Sequence, residues 1–340
     1  MKILVTGSAG FIGGYIVEEL LAGGHEVVGI DNFSKYGEIT RAAAEHPSYT
    51  FVEGDAKDAA LLGRLLSDCD FMIAGAAKIG GISYFHEYAY DLLAENERIL
   101  ASSFDAAIEA HRKERLRKIV VLSSSMVFEN ATVYPTPEGE QQRCPPPSST
   151  YGFQKLSCEY FAKGAHEQYG LPFTICRPFN CVGVGERRAL GDREVLSGNI
   201  RLAMSHAVPD LVQKVLKGQD PLHILGDGSQ IRCYTYGGDL ARGIAACVFH
   251  PAATNEDFNL STSESTSVLQ LAEKIWRKVH GASKPFRWVS DPPYPYDVEV
   301  RIPDTAKAKD VLGFEATTPL DDVLDEVIPW VRGEIEGGTI

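Results

Sequence analysis

A doubly wound α/β fold on a parallel sheet is predicted by three observations. Short apolar runs recur through the first half of the chain, each followed by a segment of helical periodicity. The runs are continuous rather than alternating, which marks strands buried on both faces. A glycine-rich turn joins the first run to the first helical segment, and strand–helix alternation of this kind builds a parallel sheet covered by helices.

The elements follow in order. Ile3-Leu4-Val5 is the first strand, and residues 11 to 23 form a helix with Ile12, Ile16, Leu20 and Leu21 at helical spacing. Further strands are read at Glu26 to Asp31, Tyr49 to Val52, Phe71 to Ala74, Ile119 to Leu122 and Phe173 to Cys176, with helices over 58–67, 91–111 and 151–168. After Arg177-Pro178 the alternation loosens. Residues 183–200, rich in glycine and charge, read as a long loop, and helices are expected over 208–217, 238–249, 267–280 and 320–333. Pro292, Pro293 and Pro295 mark an irregular crossing. The expected organisation is a first lobe over 1–178 that takes back part of 233–260, a smaller α/β lobe over 179–332, and a frayed tail at 333–340.

Composition narrows the function classes. Of 340 residues, 44% are hydrophobic and 23% charged, enough apolar side chains for a core. Lys and Arg total 33 against 46 Asp and Glu, a formal charge of -13. Such a surface repels nucleic acid and anionic membrane, so neither is an expected partner, while a small anionic ligand held by a few placed donors stays open. The seven cysteines are scattered and never spaced C-x-x-C, which argues against a disulfide framework or a structural zinc site and suits the reducing cytoplasm. No metal is expected. The chain runs from Met1 straight into the glycine turn, so no signal peptide is expected, and no apolar run reaches the roughly 18 residues of a membrane span.

The strongest local signal is Thr6-Gly7-Ser8-Ala9-Gly10-Phe11-Ile12-Gly13, between a strand and a helix. In that context Gly7 permits a tight turn, Gly10 lets a pyrophosphate approach the backbone, and Gly13 permits close helix–strand packing. The helix N-terminus adds partial positive charge for a diphosphate. Asp31 ends the second strand, 18 residues beyond Gly13. A carboxylate there accepts bonds from ribose hydroxyls and repels a 2′-phosphate, which favours NAD over NADP. Asp55, after the third strand, either contacts the adenine or is a solvated loop acid.

A second constellation lies downstream. Ser123-Ser124-Ser125 follows the fifth strand at the carboxyl edge of the sheet, where such sheets bind ligands. Tyr151-Gly152-Phe153-Gln154-Lys155 opens a helix behind Ser148-Ser149-Thr150. Spacing of four puts the phenol and the ammonium on one helix face. A lysine cation favours the phenolate, which takes a hydroxyl proton while hydride leaves for a nicotinamide.

On these motifs the chain resembles the extended short-chain dehydrogenases/reductases, in particular the NAD-dependent nucleotide-sugar epimerase/dehydratase family, from Met1 to about residue 332. The resemblance implies a Rossmann-type sheet with a smaller substrate-binding lobe and bound NAD. It also implies a nucleotide-diphosphosugar substrate and a homodimer through 91–111 and 151–168. It assigns catalysis to Ser124, Tyr151 and Lys155. Cofactor contacts fall to Gly7, Gly10, Phe11, Ile12, Gly13, Asp31, Asn32, Asp55, Ala56, Ala76 and Lys155. Arg177-Pro178-Phe179-Asn180 resembles the segment whose Asn contacts the sugar nucleotide. The segment Gly226 to Arg232 and the later Arg301 resemble those whose arginines hold its phosphates. Substrate contacts thus fall to Lys78, Ser125, Met126, Asn180, His206, Arg232 and Arg301, and Asn96 matches a position that supports the active-site backbone.

Three features bear on the reaction. Ser125 and Met126 stand where 4,6-dehydratases carry Asp-Glu, and decarboxylases tend to carry Glu at the position of Met126, so both reactions are disfavoured. A 4-epimerase needs no extra acid or base. Ala76 to Ile82 and Ser205 to Pro209 instead resemble segments of GDP-fucose synthases and GDP-mannose 3,5-epimerases, the second containing a catalytic His. The Cys of those enzymes aligns with Met126, whose thioether cannot transfer protons. The expected activity is therefore a 4-epimerase, with a 3,5-epimerase or epimerase/reductase using His206, a 4-dehydrogenase, and a non-catalytic NAD-binding regulator as alternatives. Phe128 in place of a usual Tyr, Val182 and Val184 in an Asn-x-Tyr-Gly-Pro run, and Gly237-Gly238 in place of Val-Asp leave the sugar open.

Overall fold

Seven parallel strands form the main sheet. In chain order they are β1 Lys2–Thr6, β2 Glu26–Asp31, β3 Tyr49–Glu53, β4 Phe71–Ala74, β5 Lys118–Leu122, β6 Phe173–Pro178 and β7 Glu256–Leu260. The order across the sheet is β7-β6-β5-β4-β1-β2-β3. The winding direction thus reverses beside β1, and the carboxyl ends of β1 and β4 open a crevice there. The Rossmann-type α/β fold read from the sequence is the observed one. The computed structural model describes residues 1–340 apart from 40–41, 81–86, 188, 191–194, 203–205 and 294–297. Gly81, Ile82, Ser205 and Pro295 of the motifs above lie outside the described residues.

The helices are α1 Phe11–Ala22, α2 Ala59–Leu65, α3 Ala89–Arg112, α4 Thr150–Tyr169, α5 Ala207–Leu216, α6 Gly237–Phe249, α7 Val268–His280, α8 Ala306–Leu312 and α9 Leu320–Glu336. Strand side chains alternate between two buried layers. Ile3 and Val5 join Ile16 and Leu20 of α1 and Ile244 of α6. Leu4, between them, joins Leu62 of α2, Phe104 of α3 and Ala162 of α4 on the opposite face. A separate apolar cluster gathers α5, α7 and α9 around Trp276, which is fully buried. Its indole N–H donates to the Lys284 carbonyl at 3.3 Å.

Four local expectations are corrected. β3 is an edge strand rather than one buried on both faces, and Phe51 is 37% exposed. An edge position has a neighbour on one side only, and Phe33 covers Phe51 with ring centroids 5.2 Å apart. The segment read as a loop over 183–200 carries Val195–Ser197, which pairs antiparallel with Ile200–Leu202 and turns at Gly198 (φ +58°). β7 and α8 are additions to the elements read from the sequence; β7, Glu-Asp-Phe-Asn-Leu, alternates polar and apolar residues and so lacks the continuous apolar run that marks the other strands. The last helix runs on to Glu336, past the expected fraying at 333, because Ile335 and Ile340 pack on the Trp276 cluster.

All seven cysteines are free thiols. Among the described residues no group of three or more His, Cys, Asp or Glu is placed to hold a metal ion. No described helix is long and apolar enough to cross a membrane.

One electrostatic link ties β7 to the sheet. Asp257 accepts from Arg177 of β6 at 2.7 Å and from Lys307 of α8 at 2.8 Å. Burial alone raises its carboxyl pKa, but the two cations outweigh it and push the group down to about 2. A depressed folded value stabilises the fold above the ordinary carboxylate range, and that contribution fades as pH falls through about 2. Asp257→Asn is therefore expected to cost about 2 kcal/mol near neutral pH, with the gap to wild type closing in acid. Denaturant melts across that range test this; a pH-independent loss contradicts it.

Candidate active site

Every site residue singled out from the sequence lines one cleft of about 1200 Å³ at the carboxyl edge of the sheet. At its cofactor end Gly7 has φ +74°, and its N–H donates to Ile30 at 2.9 Å. The packing there leaves no room for side chains. A Cβ on Gly13 would lie 2.0 Å from the Gly7 oxygen, and one on Gly7 would lie 2.9 Å from the Ala76 Cα. The Thr6 hydroxyl accepts from Gly75 and Ala76 N–H at 3.1 and 3.0 Å, fixing β4 against this turn. Gly10 caps α1, whose first turn holds no acidic residue, so the helix end presents its partial positive charge to the cleft.

Asp31 is held by the turn it faces. Its two oxygens accept from Ala9 N–H at 3.1 Å and Phe33 N–H at 2.8 Å. Asn32 donates to Asp55 at 3.3 Å, Asp55 accepts from Lys57 N–H at 2.8 Å, and the Lys57 ammonium pairs with Glu95 at 2.6 Å. Asp55 is thus part of an ordered polar chain with the half-exposed wall of the cleft. Ala56 is buried beside it.

At the centre, the Ser149 hydroxyl caps α4, accepting from Gly152 N–H at 3.0 Å and donating to Glu129 at 2.6 Å. This clamp fixes the first turn that carries Tyr151. A Cβ on Gly152 would meet Pro147 at 2.6 Å. Tyr151 and Lys155 are buried on the same face, and the Lys155 ammonium sits 6.0 Å from the Tyr151 ring centroid while donating to the Leu122 carbonyl at 2.8 Å. Ser124 opens the 3₁₀ turn Ser125–Phe128, and its hydroxyl oxygen accepts from Met126 N–H at 3.2 Å. Met126 packs with Tyr151, Leu92 and Val298. The wall beside the phenol is therefore apolar where a dehydratase or decarboxylase would need an acid.

At the far end Arg232 and Arg301 are register partners on two short parallel strands, Ile231–Arg232 and Val300–Arg301. Arg232 donates to the Ile231 and Glu299 carbonyls at 2.9 and 3.2 Å. Asn180, in a left-handed conformation (φ +37°), reaches the Cys233 carbonyl at 3.5 Å. Lys78 is exposed, and Asn96 clamps its backbone through bonds of 2.7 and 2.9 Å.

Two partnerships escape a reading of local motifs. The His206 Nδ1 contacts a carboxyl oxygen of the buried Glu186. Burial alone raises the Glu186 pKa, but His206 and then Lys35 outweigh it and hold the carboxyl below its ordinary value. Tyr15 of α1 accepts from Val184 N–H at 2.9 Å and meets Tyr236 edge-on with centroids 5.7 Å apart, tying the cofactor helix to the opposite wall.

The sequence model of the NAD dependent epimerase/dehydratase family matches residues 3–261, and the chain belongs to that family. A UDP-glucose 4-epimerase from Lacticaseibacillus casei is 28% identical, with 99% of this chain and 98% of that protein covered. A UDP-N-acetyl-alpha-D-glucosaminuronate decarboxylase from Bacillus cytotoxicus is also 28% identical, over 98% of each chain. Among solved structures, the UDP-glucose 4-epimerase of Thermotoga maritima with UDP-glucose superposes with a TM-score of 0.81 at 28% identity, covering 98% of this chain and 100% of that one. The UDP-glucuronic acid 4-epimerase of Bacillus cereus, in complex with UDP-glucuronic acid and NAD, gives 0.80 at 26% identity, covering 98% and 99%.

The cofactor of this family is NAD, and the residues present fit it. The cradle at Gly7, Gly10 and Gly13 is one that any Cβ would fill, the end of α1 suits a diphosphate, and Asp31 suits a ribose diol. Asp31→Ala is expected to weaken NAD binding roughly 10- to 100-fold, the worth of charge-assisted bonds, and to narrow the preference over NADP. Titration of both dinucleotides tests this; unchanged NAD affinity contradicts the role.

Proposed function

We propose that this protein is an NAD-dependent nucleotide-diphosphosugar 4-epimerase. What supports the reading is that Tyr151, Lys155 and Ser124 line the same cleft, with apolar Met126 packed on Tyr151 and bonded through its N–H to Ser124. Such a set abstracts one hydroxyl proton and supplies no second acid for eliminating water or losing carbon dioxide. The UDP-sugar 4-epimerases among its relatives and structural neighbours support the same class of substrate.

When bound, NAD supplies a hydride acceptor that takes the sugar C4 hydrogen and returns it. Tyr151 takes the O4 proton as the phenolate and, as the phenol so formed, later gives it back. Lys155, steered by its bond to the Leu122 carbonyl, holds positive charge beside that phenol. Ser124 bonds the same oxygen. Net inversion at C4 requires the sugar to turn over between the two transfers, and Arg232 and Arg301 hold the nucleotide diphosphate while it does. On this reading residues 1–178, with part of 233–260, hold the cofactor and 179–332 hold the substrate.

The contact between His206 and Glu186 in the same cleft favours a second reading, a base for epimerisation at C3 or C5. Incubation with UDP- and GDP-hexoses in deuterated water separates the two. The proposal expects a C4 epimer carrying no solvent deuterium on carbon. Deuterium at C3 or C5 overturns it in favour of His206, and accumulating reduced cofactor points to a 4-dehydrogenase. Tight NAD binding with no turnover of any sugar points to a regulator. Tyr151→Phe is expected to lower kcat by roughly 100- to 10,000-fold with NAD affinity retained; unaltered turnover refutes the assigned role.

A further inference from the structure

Beneath the catalytic set lies a buried charge cluster that the proposed chemistry does not use. Arg177 is fully buried on β6 and Glu159 is 1% exposed on α4. They form a two-pronged pair, Nε to Oε1 at 2.7 Å and Nη2 to Oε2 at 2.8 Å. Gln141 adds a bond to Oε2 at 3.2 Å. The guanidinium lies 5.3 Å from the Phe128 ring centroid, and its Nη2 also meets Asp257 at 2.7 Å. Burying such a pair is a poor route to stability, because desolvation consumes most of the Coulomb gain. Its location indicates another use.

Glu159 continues the helix face of Tyr151 and Lys155 by one more turn. Its Oε1 accepts from the Ser123 hydroxyl at 2.8 Å, and that hydroxyl lies 3.4 Å from the Lys155 carbonyl. Ser123 sits between Leu122, whose carbonyl receives the Lys155 ammonium, and Ser124. Its own N–H donates to Cys176 of β6 at 2.8 Å. The end of β5 is thus held from two sides, by β6 through the backbone and by α4 through Glu159.

We propose that Glu159, clamped by Arg177, is a positioning residue that acts through Ser123 to lock the end of β5 against α4. The lock sets the Leu122 carbonyl beneath Lys155 and Ser124 opposite Tyr151. It rests on the reading of Ser124, Tyr151 and Lys155 as the catalytic set. Displacement of such groups by a fraction of an ångström lowers the rate of the chemical step while leaving binding intact.

Ser123→Ala cuts the link without unpairing a charge, Glu159→Gln removes its anchor, and Tyr151→Phe serves as control. Ser123→Ala is expected to lower kcat roughly 10- to 100-fold, with KM and NAD affinity within about twofold of wild type. Its melting temperature should stay close to wild type, and faster amide exchange should be confined to residues 122–128. Glu159→Gln should show the same split; should it not fold, the Ser123 variant decides alone. A folded Ser123→Ala with wild-type kcat, or one whose loss lies in NAD affinity, overturns the proposal. An inactive Tyr151→Phe beside an unimpaired Ser123→Ala sinks the positioning role alone, whereas an active Tyr151→Phe sinks the catalytic reading beneath it.

Discussion

The close approach of α1 to the turn after β1 is the constraint from which the rest of the cleft follows. With Gly13 against the Gly7 carbonyl and Gly7 against Ala76, three elements meet with no side chain between them. That contact brings the positive end of a helix to the crevice where the winding of the sheet reverses. Asp31 is then bonded to the turn itself, through Ala9, so the carboxylate and the glycine turn form one rigid unit. The Thr6 hydroxyl extends that unit to β4 and so to the wall that carries Lys78. A cleft of about 1200 Å³ opens beyond it.

The chain carries a surplus of acidic groups, and the cleft sets Lys155, Arg232, Arg301 and Lys78 among acids such as Asp31, Asp55, Glu129 and Glu186. Charges on the outside are screened within about a Debye length, so the surface excess says little about the cleft. Inside, two of these cations meet backbone carbonyls. Lys155 donates to Leu122, and Arg232 donates to Ile231 and Glu299 at 2.9 and 3.2 Å.

How much of this was legible in the sequence depends on range. The glycine turn, Asp31, and the Tyr151 and Lys155 spacing act within one or two turns of chain, and periodicity places their strands and helices. The fold class and the gathering of the site residues into one cleft follow from those local signals. What escaped them is long-range or short-lived. Glu186 meets His206 twenty residues on, and Glu129 meets Ser149 across the same interval. Arg177 reads as part of a substrate segment, yet its Nε and Nη2 pair with Glu159 and Asp257. β7 mixes Glu256, Asp257 and Asn259 with its apolar residues and so shows no apolar run, and the edge position of β3 is a property of sheet order, which no single strand encodes.

Tyr15 and Gly237 carry a consequence for anyone altering this scaffold. The Tyr15 ring occupies the space where a side chain at 237 would stand, since a Cβ there would lie 2.4 Å from a ring carbon. The departure from Val-Asp at Gly237-Gly238 is thus the mate of an aromatic residue on the cofactor helix. The two positions form a single steric unit divided between distant parts of the chain. A chimera that takes its first helix from this protein and its later segments from a relative with valine at 237 would join incompatible halves. Recombination of such proteins succeeds only if position 15 and position 237 are inherited together.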